Sequence, residues 1–228
     1  EPINELPVAY HFTLKQRGDP LYLRTLSGDL DIFYELFWKR AYNYPGLICD
    51  TAAVIIDLGA HVGISGLFFL NKCADAVIYA VEPAPANFSL LCKNHAKAIA
   101  AGKIRPLQAA INDKDGYLGL KNSLFSYNNK TIAAVDNEPQ VKAISLNTLV
   151  REYGITRVDI LKIDIEGAES PLFSGSLDWL PLVRQIIMEL HSVEDEVLCL
   201  NVLTRNGFRI HALKSNGTDR LFFATRLL

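Results

Sequence analysis

The chain has 228 residues, of which 50% are hydrophobic, 21% charged and 10% aromatic, and its 23 Lys+Arg against 25 Asp+Glu leave a formal net charge of -2. That is enough chain for one sizeable core, or a core plus a small cap, and it excludes a disordered chain, a collagen-like repeat and a disulfide-dense miniprotein. The near-neutral balance argues against an extended polyanion surface, so no nucleic acid is expected as a partner, and no apolar run reaches the ~18 residues of a bilayer span.

The first fifty residues read differently from the rest. Pro2, Pro7 and Pro20 punctuate them, residues 29–42 look like one aromatic-rich helix, and Tyr44-Pro45-Gly46 marks a turn. We read 1–50 as an N-terminal cap or an arm for a second copy, and 51–228 as the main domain. The opening Glu1-Pro2-Ile3-Asn4-Glu5 has no signal-peptide pattern, from which little about targeting follows. Strands and helices then alternate. Val54–Leu58 is a continuous apolar strand, 63–71 a helix, Val77–Val81 a second strand, 85–101 a long helix and 104–110 a third strand. Residues 116–145 hold polar turns, read as short strands or a loop over the sheet edge. Val158–Ile163 and 185–190 are two more strands, 194–206 a helix, and Phe208–Leu213 and 220–225 a hairpin about Asn216-Gly217. Near-continuous apolar strands separated by helices mean a parallel sheet covered on both faces. Cys49, Cys73, Cys92 and Cys199 form no Cys-x-x-Cys pair. They read as scattered reduced cysteines, which favours a cytoplasmic location.

Ligands of such a sheet sit at the carboxyl ends of its strands. The first strand ends Asp57-Leu58-Gly59-Ala60-His61-Val62-Gly63. A dinucleotide fingerprint starting at Gly59 would need glycines where His61 and Ile64 stand, which disfavours an NAD-dependent oxidoreductase. Asp57 suits an amino group better than a diphosphate. Glu82, at the end of the second strand and before Pro83, can accept both hydroxyls of a ribose. A nucleoside without phosphates and with an amino-acid tail satisfies both acids, as S-adenosylmethionine does. The fourth strand runs into Asp164, Glu166 and Glu169, with Lys162 on the same side as Asp164. Three readings stand for these acids: a structural ion network, contacts to the sulfonium ligand or a substrate hydroxyl, and a divalent metal; we assign no metal. His191 follows the fifth strand and is a candidate proton acceptor, whereas His61 is read as a ligand contact.

These strings, Asp57 to Gly63, Val81-Glu82-Pro83, Lys162-Ile163-Asp164-Ile165-Glu166-Gly167-Ala168-Glu169 and Met188-Glu189-Leu190-His191, resemble those of FkbM-type S-adenosylmethionine-dependent methyltransferases over about residues 50–212. The resemblance implies a Rossmann-like class I methyltransferase fold: seven strands, mostly parallel, an antiparallel C-terminal strand, and helices on both faces. It implies that Asp57, Gly59 and Gly63 surround the methionine part of the cofactor, that Glu82 holds the ribose, that Ala110 and Asn112 line the adenine, and that Asp164 sits near the methyl and amino end. It further implies O-methylation of a hydroxyl on a sugar, glycolipid or natural product. Asp164 or His191 would take the proton, with Glu166 orienting the acceptor or the base. A noncatalytic chain that keeps the fold for binding or assembly is the alternative from another class.

Overall fold

The computed structural model describes residues 8–10, 20–50, 52–121, 130–133, 140–213 and 220–227. Its main sheet has seven strands: β3 (Val54–Leu58), β4 (Val77–Val81), β5 (Ile104–Leu107), β10 (Val158–Ile163), β11 (Val183–Leu190), β12 (Phe208–Leu213) and β13 (Arg220–Arg226). Their spatial order is β12-β13-β11-β10-β3-β4-β5. Six point the same way, and β13 runs antiparallel between β11 and β12. This is the mixed sheet expected, and β3, β4, β10 and β12 occupy the expected residues. All six residues of β10 are buried, as a central strand covered on both faces requires.

Helices α2 (Ile64–Lys72), α3 (Pro85–Asn94), α4 (Ala96–Ala100), α5 (Leu146–Glu152), α6 (Glu169–Ser174) and α7 (Val193–Arg205) supply the layers. One core, with Trp179, Phe173 and Met188, fills one face. The other face holds Ile55, Ile64, Phe69 and Leu91, and there Leu21, Leu23, Leu36 and Tyr42 of the N-terminal segment pack directly on the domain. The strands β1 (Val8–Tyr10) and β2 (Leu21–Leu23) pair antiparallel within that segment.

Four expectations are corrected. The helix over 29–42 is α1 (Asp29–Phe33) followed by a wider π-helical stretch, Tyr34–Trp38, in which the Lys39 N–H donates to the Tyr34 carbonyl. It stops where Arg40 turns to a φ of 57°. The long helix over 85–101 breaks between α3 and α4 because His95, fully buried, turns inward to the Gly63 carbonyl at 2.7 Å. The strand over 104–110 ends at Leu107, the last rung against β4. The chain then enters a second sheet as β6 (Ala110–Asn112), beside β9 (Gln140–Ser145), β7 (Gly116–Lys121) and β8 (Lys130–Ala133). The cysteines are not all reduced: Cys49 and Cys73 form a disulfide with Cα atoms 5.9 Å apart. The segment before β3 passes the end of α2, so 24 residues of separation in sequence become contact in space, and the cysteine argument for a reducing compartment lapses. The Asn216-Gly217 turn lies outside the described residues. Among the described residues no helix is long and apolar enough to cross a membrane.

Candidate active site

The chain leaves β3 toward β4 and β5 on one side, and returns through β10 and β11 on the other. A crevice opens where the order reverses, outside the carboxyl ends of β3 and β10. It encloses about 720 Å³ with its solvent-open mouth included. Gly59, His61, Glu82, Ala110, Asp164 and Glu166 are among its lining residues.

On the β3–β4 side the wall is made largely of backbone. The Gly59 and Ala60 N–H groups donate to the Val81 carbonyl at 3.0 and 2.9 Å. Gly59 has a φ of +76°, and a Cβ there would stand 1.8 Å from the Asp164 carbonyl oxygen, so this turn admits only glycine. His61 also has a positive φ, 51°, and its N–H donates to Glu82 Oε2 at 2.9 Å. Glu82 Oε1 accepts from the Ala84 N–H at 2.9 Å and from Asn87 Nδ2 at 3.2 Å. Burial pushes the Glu82 carboxyl up to about 7 despite these bonds. Burial likewise lowers His61 to about 4, so its ring is neutral at physiological pH; the nearby Asp29 opposes that shift without overcoming it.

A network unforeseen in the sequence braces this wall. Arg24 donates to the buried Asp29 through Nε at 3.0 Å and Nη2 at 2.9 Å, and to Asn87 Oδ1 at 2.8 Å. The N-terminal segment thereby reaches the residues that hold Glu82, and it adds Ile32, Leu36 and Tyr42 to the cavity wall. No local motif marks Arg24 or Asp29; only the folded proximity does. His95 is a second missed residue: a Cβ at Gly63 would meet its ring at 2.5 Å.

On the β10–β11 side, side chains dominate. Register places Lys162 beside Asp57. Its Nζ lies 3.4 Å from Asp57 Oδ1 and 3.4 Å from Asp164 Oδ2, and donates to the carbonyls of Leu58 at 3.1 Å and Gly59 at 2.6 Å. Burial alone would lower the lysine's pKa, but the facing carboxylates outweigh it and raise it. Asp57 Oδ2 accepts the Ser65 hydroxyl at 2.5 Å. The fully buried Glu169 carboxylate accepts the N–H of Ile165 at 3.3 Å and of Gly167 at 2.8 Å. It thus shapes the turn in which Glu166 is held at a φ of 53°. His191 Nδ1 stands 3.1 Å from Glu169 Oε1, and its Nε2 faces Asp164 and Glu166. Burial would lower the imidazole's pKa, but the bond to Glu169 and the charges of Asp164 and Glu166 push it up to about 10. With only these neighbours it holds its proton at neutral pH and is not a ready base.

Of the residues named from the sequence, Gly59, His61, Glu82, Ala110, Asp164 and Glu166 meet in the cavity lining. Asp57 is fully buried against Lys162 and Ser65 and is not in the lining. Gly63 lies under the turn, and Asn112 falls outside the lining while its neighbour Ile111 is within it. The donor set fits S-adenosylmethionine. Glu82 offers a carboxylate to a ribose, and Ile64, Pro83 and Ile111 offer apolar surface to an adenine.

Comparison with known proteins agrees. Residues 57–210 match the model described as Methyltransferase FkbM domain. The chain is 26% identical to the 31-O-demethyl-FK506 methyltransferase FkbM of Streptomyces tacrolimicus over 239 aligned residues, covering 88% of each. It is 25% identical to the hexuronic acid methyltransferase AglP of Haloferax volcanii, covering 82% of this chain and 72% of that one. Among solved structures, a methyltransferase FkbM from Methylobacillus flagellatus KT has the same fold, with a TM-score of 0.61 at 13% identity. The match covers 84% of this chain, which spans about half of that longer protein (47%). With its sheet order, its glycine turn and its matched strand ends, the chain belongs to the FkbM methyltransferase family and is an S-adenosylmethionine-dependent methyltransferase.

Proposed function

We propose that this enzyme methylates a hydroxyl oxygen on a sugar, a glycolipid or a natural product. The observation that carries the reading is the placement of Asp164 and Glu166: two carboxylates line the cavity just past β10, opposite the Glu82 wall. Carboxylates at the reacting end suit an acceptor that must lose a proton as it gains a methyl. The relatives point the same way, since one is named for a 31-O-demethyl substrate and another for a hexuronic acid.

When bound, S-adenosylmethionine supplies a methyl carbon already activated by a sulfonium. Glu82 would hold its ribose, and the loop from Gly59 to His61 would cover its chain. Asp164 accepts the hydroxyl proton as the acceptor oxygen gains the methyl. Glu166 orients the acceptor from the turn that Glu169 holds. Lys162 fixes the second Asp164 oxygen at 3.4 Å and so sets the direction in which the first one faces. His191, carrying its proton, positions the two acids. Ile32, Leu36 and Tyr42 exclude water from the acceptor side.

A screen of labelled methyl transfer to sugar, lipid and natural-product hydroxyls tests this. An O-methylated product, with turnover reduced at least a hundredfold in Asp164→Asn, is the expected result. Transfer to nitrogen or sulfur acceptors alone would overturn the reading.

A further inference from the structure

The acids past β10 and the histidine past β11 also have the make-up of a metal-ligand set. His191 Nε2 lies 3.7 Å from Asp164 Oδ1 and 3.5 Å from Glu166 Oε1. One ligand-capable atom from each of the three residues lies within 4.8 Å of the others. These separations exceed those of direct N–H···O hydrogen bonds. They lie at and just beyond the spacing of neighbouring ligands on one shared ion, since bonds of about 2.1 Å at octahedral or tetrahedral angles leave ligand atoms roughly 3.0–3.5 Å apart.

The far side of the ring supports the same assignment independently. His191 Nδ1 is 3.1 Å from Glu169 Oε1, and Glu169 is fully buried, with its carboxylate also accepting two backbone N–H groups. A buried carboxylate behind an imidazole fixes the tautomer and aims the opposite nitrogen, as it does behind metal-bound histidines. With Nδ1–H given to Glu169, an ion that displaces the Nε2 proton would meet that nitrogen facing two carboxylate oxygens. The three ligand atoms would then surround a divalent ion, which takes the place of the imidazole proton between the acids. Asp164 divides its oxygens accordingly, Oδ2 toward Lys162 and Oδ1 toward His191.

We propose that Asp164, Glu166 and His191 form a divalent-cation site on the acceptor side of the cavity. This departs from the sequence reading, which assigned no metal. Two carboxylate oxygens and one imidazole suit Mn²⁺, Mg²⁺ or Fe²⁺ better than a soft thiophilic ion. Three protein ligands leave coordination positions open, and the two acids that line the cavity place those positions where an acceptor oxygen enters. The purpose of the site rests on the methyltransferase reading; the binding of the cation does not.

Titration of the full chain with MnCl₂, followed by electron paramagnetic resonance, tests the site. One Mn²⁺ per chain is expected, with spin-echo modulation from one imidazole nitrogen, and with affinity reduced at least tenfold in both Glu166→Gln and His191→Gln. Absence of stoichiometric Mn²⁺, bound Mn²⁺ without nitrogen coupling, or unchanged affinity in both variants would overturn it. The nitrogen coupling is read on the wild-type protein and does not depend on how the variants fold. Titration of the same samples with S-adenosylhomocysteine separates the two readings. Nucleoside binding without Mn²⁺ binding refutes the cation site alone, and Mn²⁺ binding without nucleoside binding supports it while refuting the cofactor assignment.

Discussion

The two walls of the crevice are built from different material. Beyond β3 and β4 backbone groups carry much of the wall: a glycine turn, a histidine whose N–H is bonded to Glu82, and one glutamate that takes two backbone N–H bonds. Beyond β10 it is charged side chains, Lys162, Asp164 and Glu166, backed by His191 and the buried Glu169 through ion pairs of 3.1–3.7 Å. A backbone wall holds a ligand of fixed shape and tolerates little change. A side-chain wall can move protons and hold ions, and its chemistry can be altered one residue at a time. The first suits a constant cofactor, the second a reaction.

Lys162 joins the walls, so its removal is the severest test of the contrast. Lys162→Met leaves Asp57 and Asp164 facing each other without their shared cation, and we expect a loss of about 3–5 kcal/mol in urea unfolding. A loss below 1 kcal/mol would mean that the walls are independent. Gly59→Ala attacks the backbone wall alone. Its Cβ collides with the Asp164 carbonyl, and destabilisation of about 3–4 kcal/mol is expected, together with weaker binding of S-adenosylhomocysteine in calorimetry.

The next test uses pH. The folded His61 pKa, about 4, lies below the ordinary histidine value, so the unfolded chain takes up a proton first as pH falls from 6.5 toward 4, and stability is lost over that window. The expected loss from His61 is about 2 kcal/mol between pH 7 and pH 5. Glu82, raised to about 7, acts with the opposite sign: its folded form holds a proton that the unfolded form has released, so stability falls as pH rises from about 4.5 to 7. The His61 contribution is therefore read as the difference between wild type and His61→Gln in unfolding at the two pH values. The smallest effect is on affinity. On the proposal that Glu82 holds the ribose in its ionised form, cofactor binding should tighten about tenfold from pH 6 to pH 8 and lose that dependence in Glu82→Gln.

The same contrast governs what could be read in the sequence. The parallel strands were legible because burial on both faces leaves near-continuous apolar runs, and β3, β4 and β10 fall where those runs do. Gly59 and Glu82 were legible because a tight turn and a strand-end acid follow each other at a spacing set by one strand–helix–strand unit. The breaks were not. His95 interrupts a helix to reach Gly63, 32 residues earlier, and Cys49 pairs with Cys73 through a crossing of loop and helix. Arg24 and Asp29 reach the Glu82 wall only after the N-terminal segment packs on the sheet. Asp57, read as a ligand contact, is fully buried beside Lys162, because the β3–β10 register that pairs them is not written in either strand alone. The acids past β10 could be named but not arranged: Glu166 owes its direction to a positive φ, and that turn is shaped by Glu169.

The central claim is that Glu82 and the turn before it bind the nucleoside of S-adenosylmethionine. Calorimetric titration of the wild type and of Glu82→Ala with S-adenosylhomocysteine and with NAD tests it most directly. The account requires one S-adenosylhomocysteine per wild-type chain, affinity at least tenfold weaker in Glu82→Ala, and no response to NAD. Tight NAD binding without a response to S-adenosylhomocysteine, or equal S-adenosylhomocysteine affinity in both proteins, would contradict it.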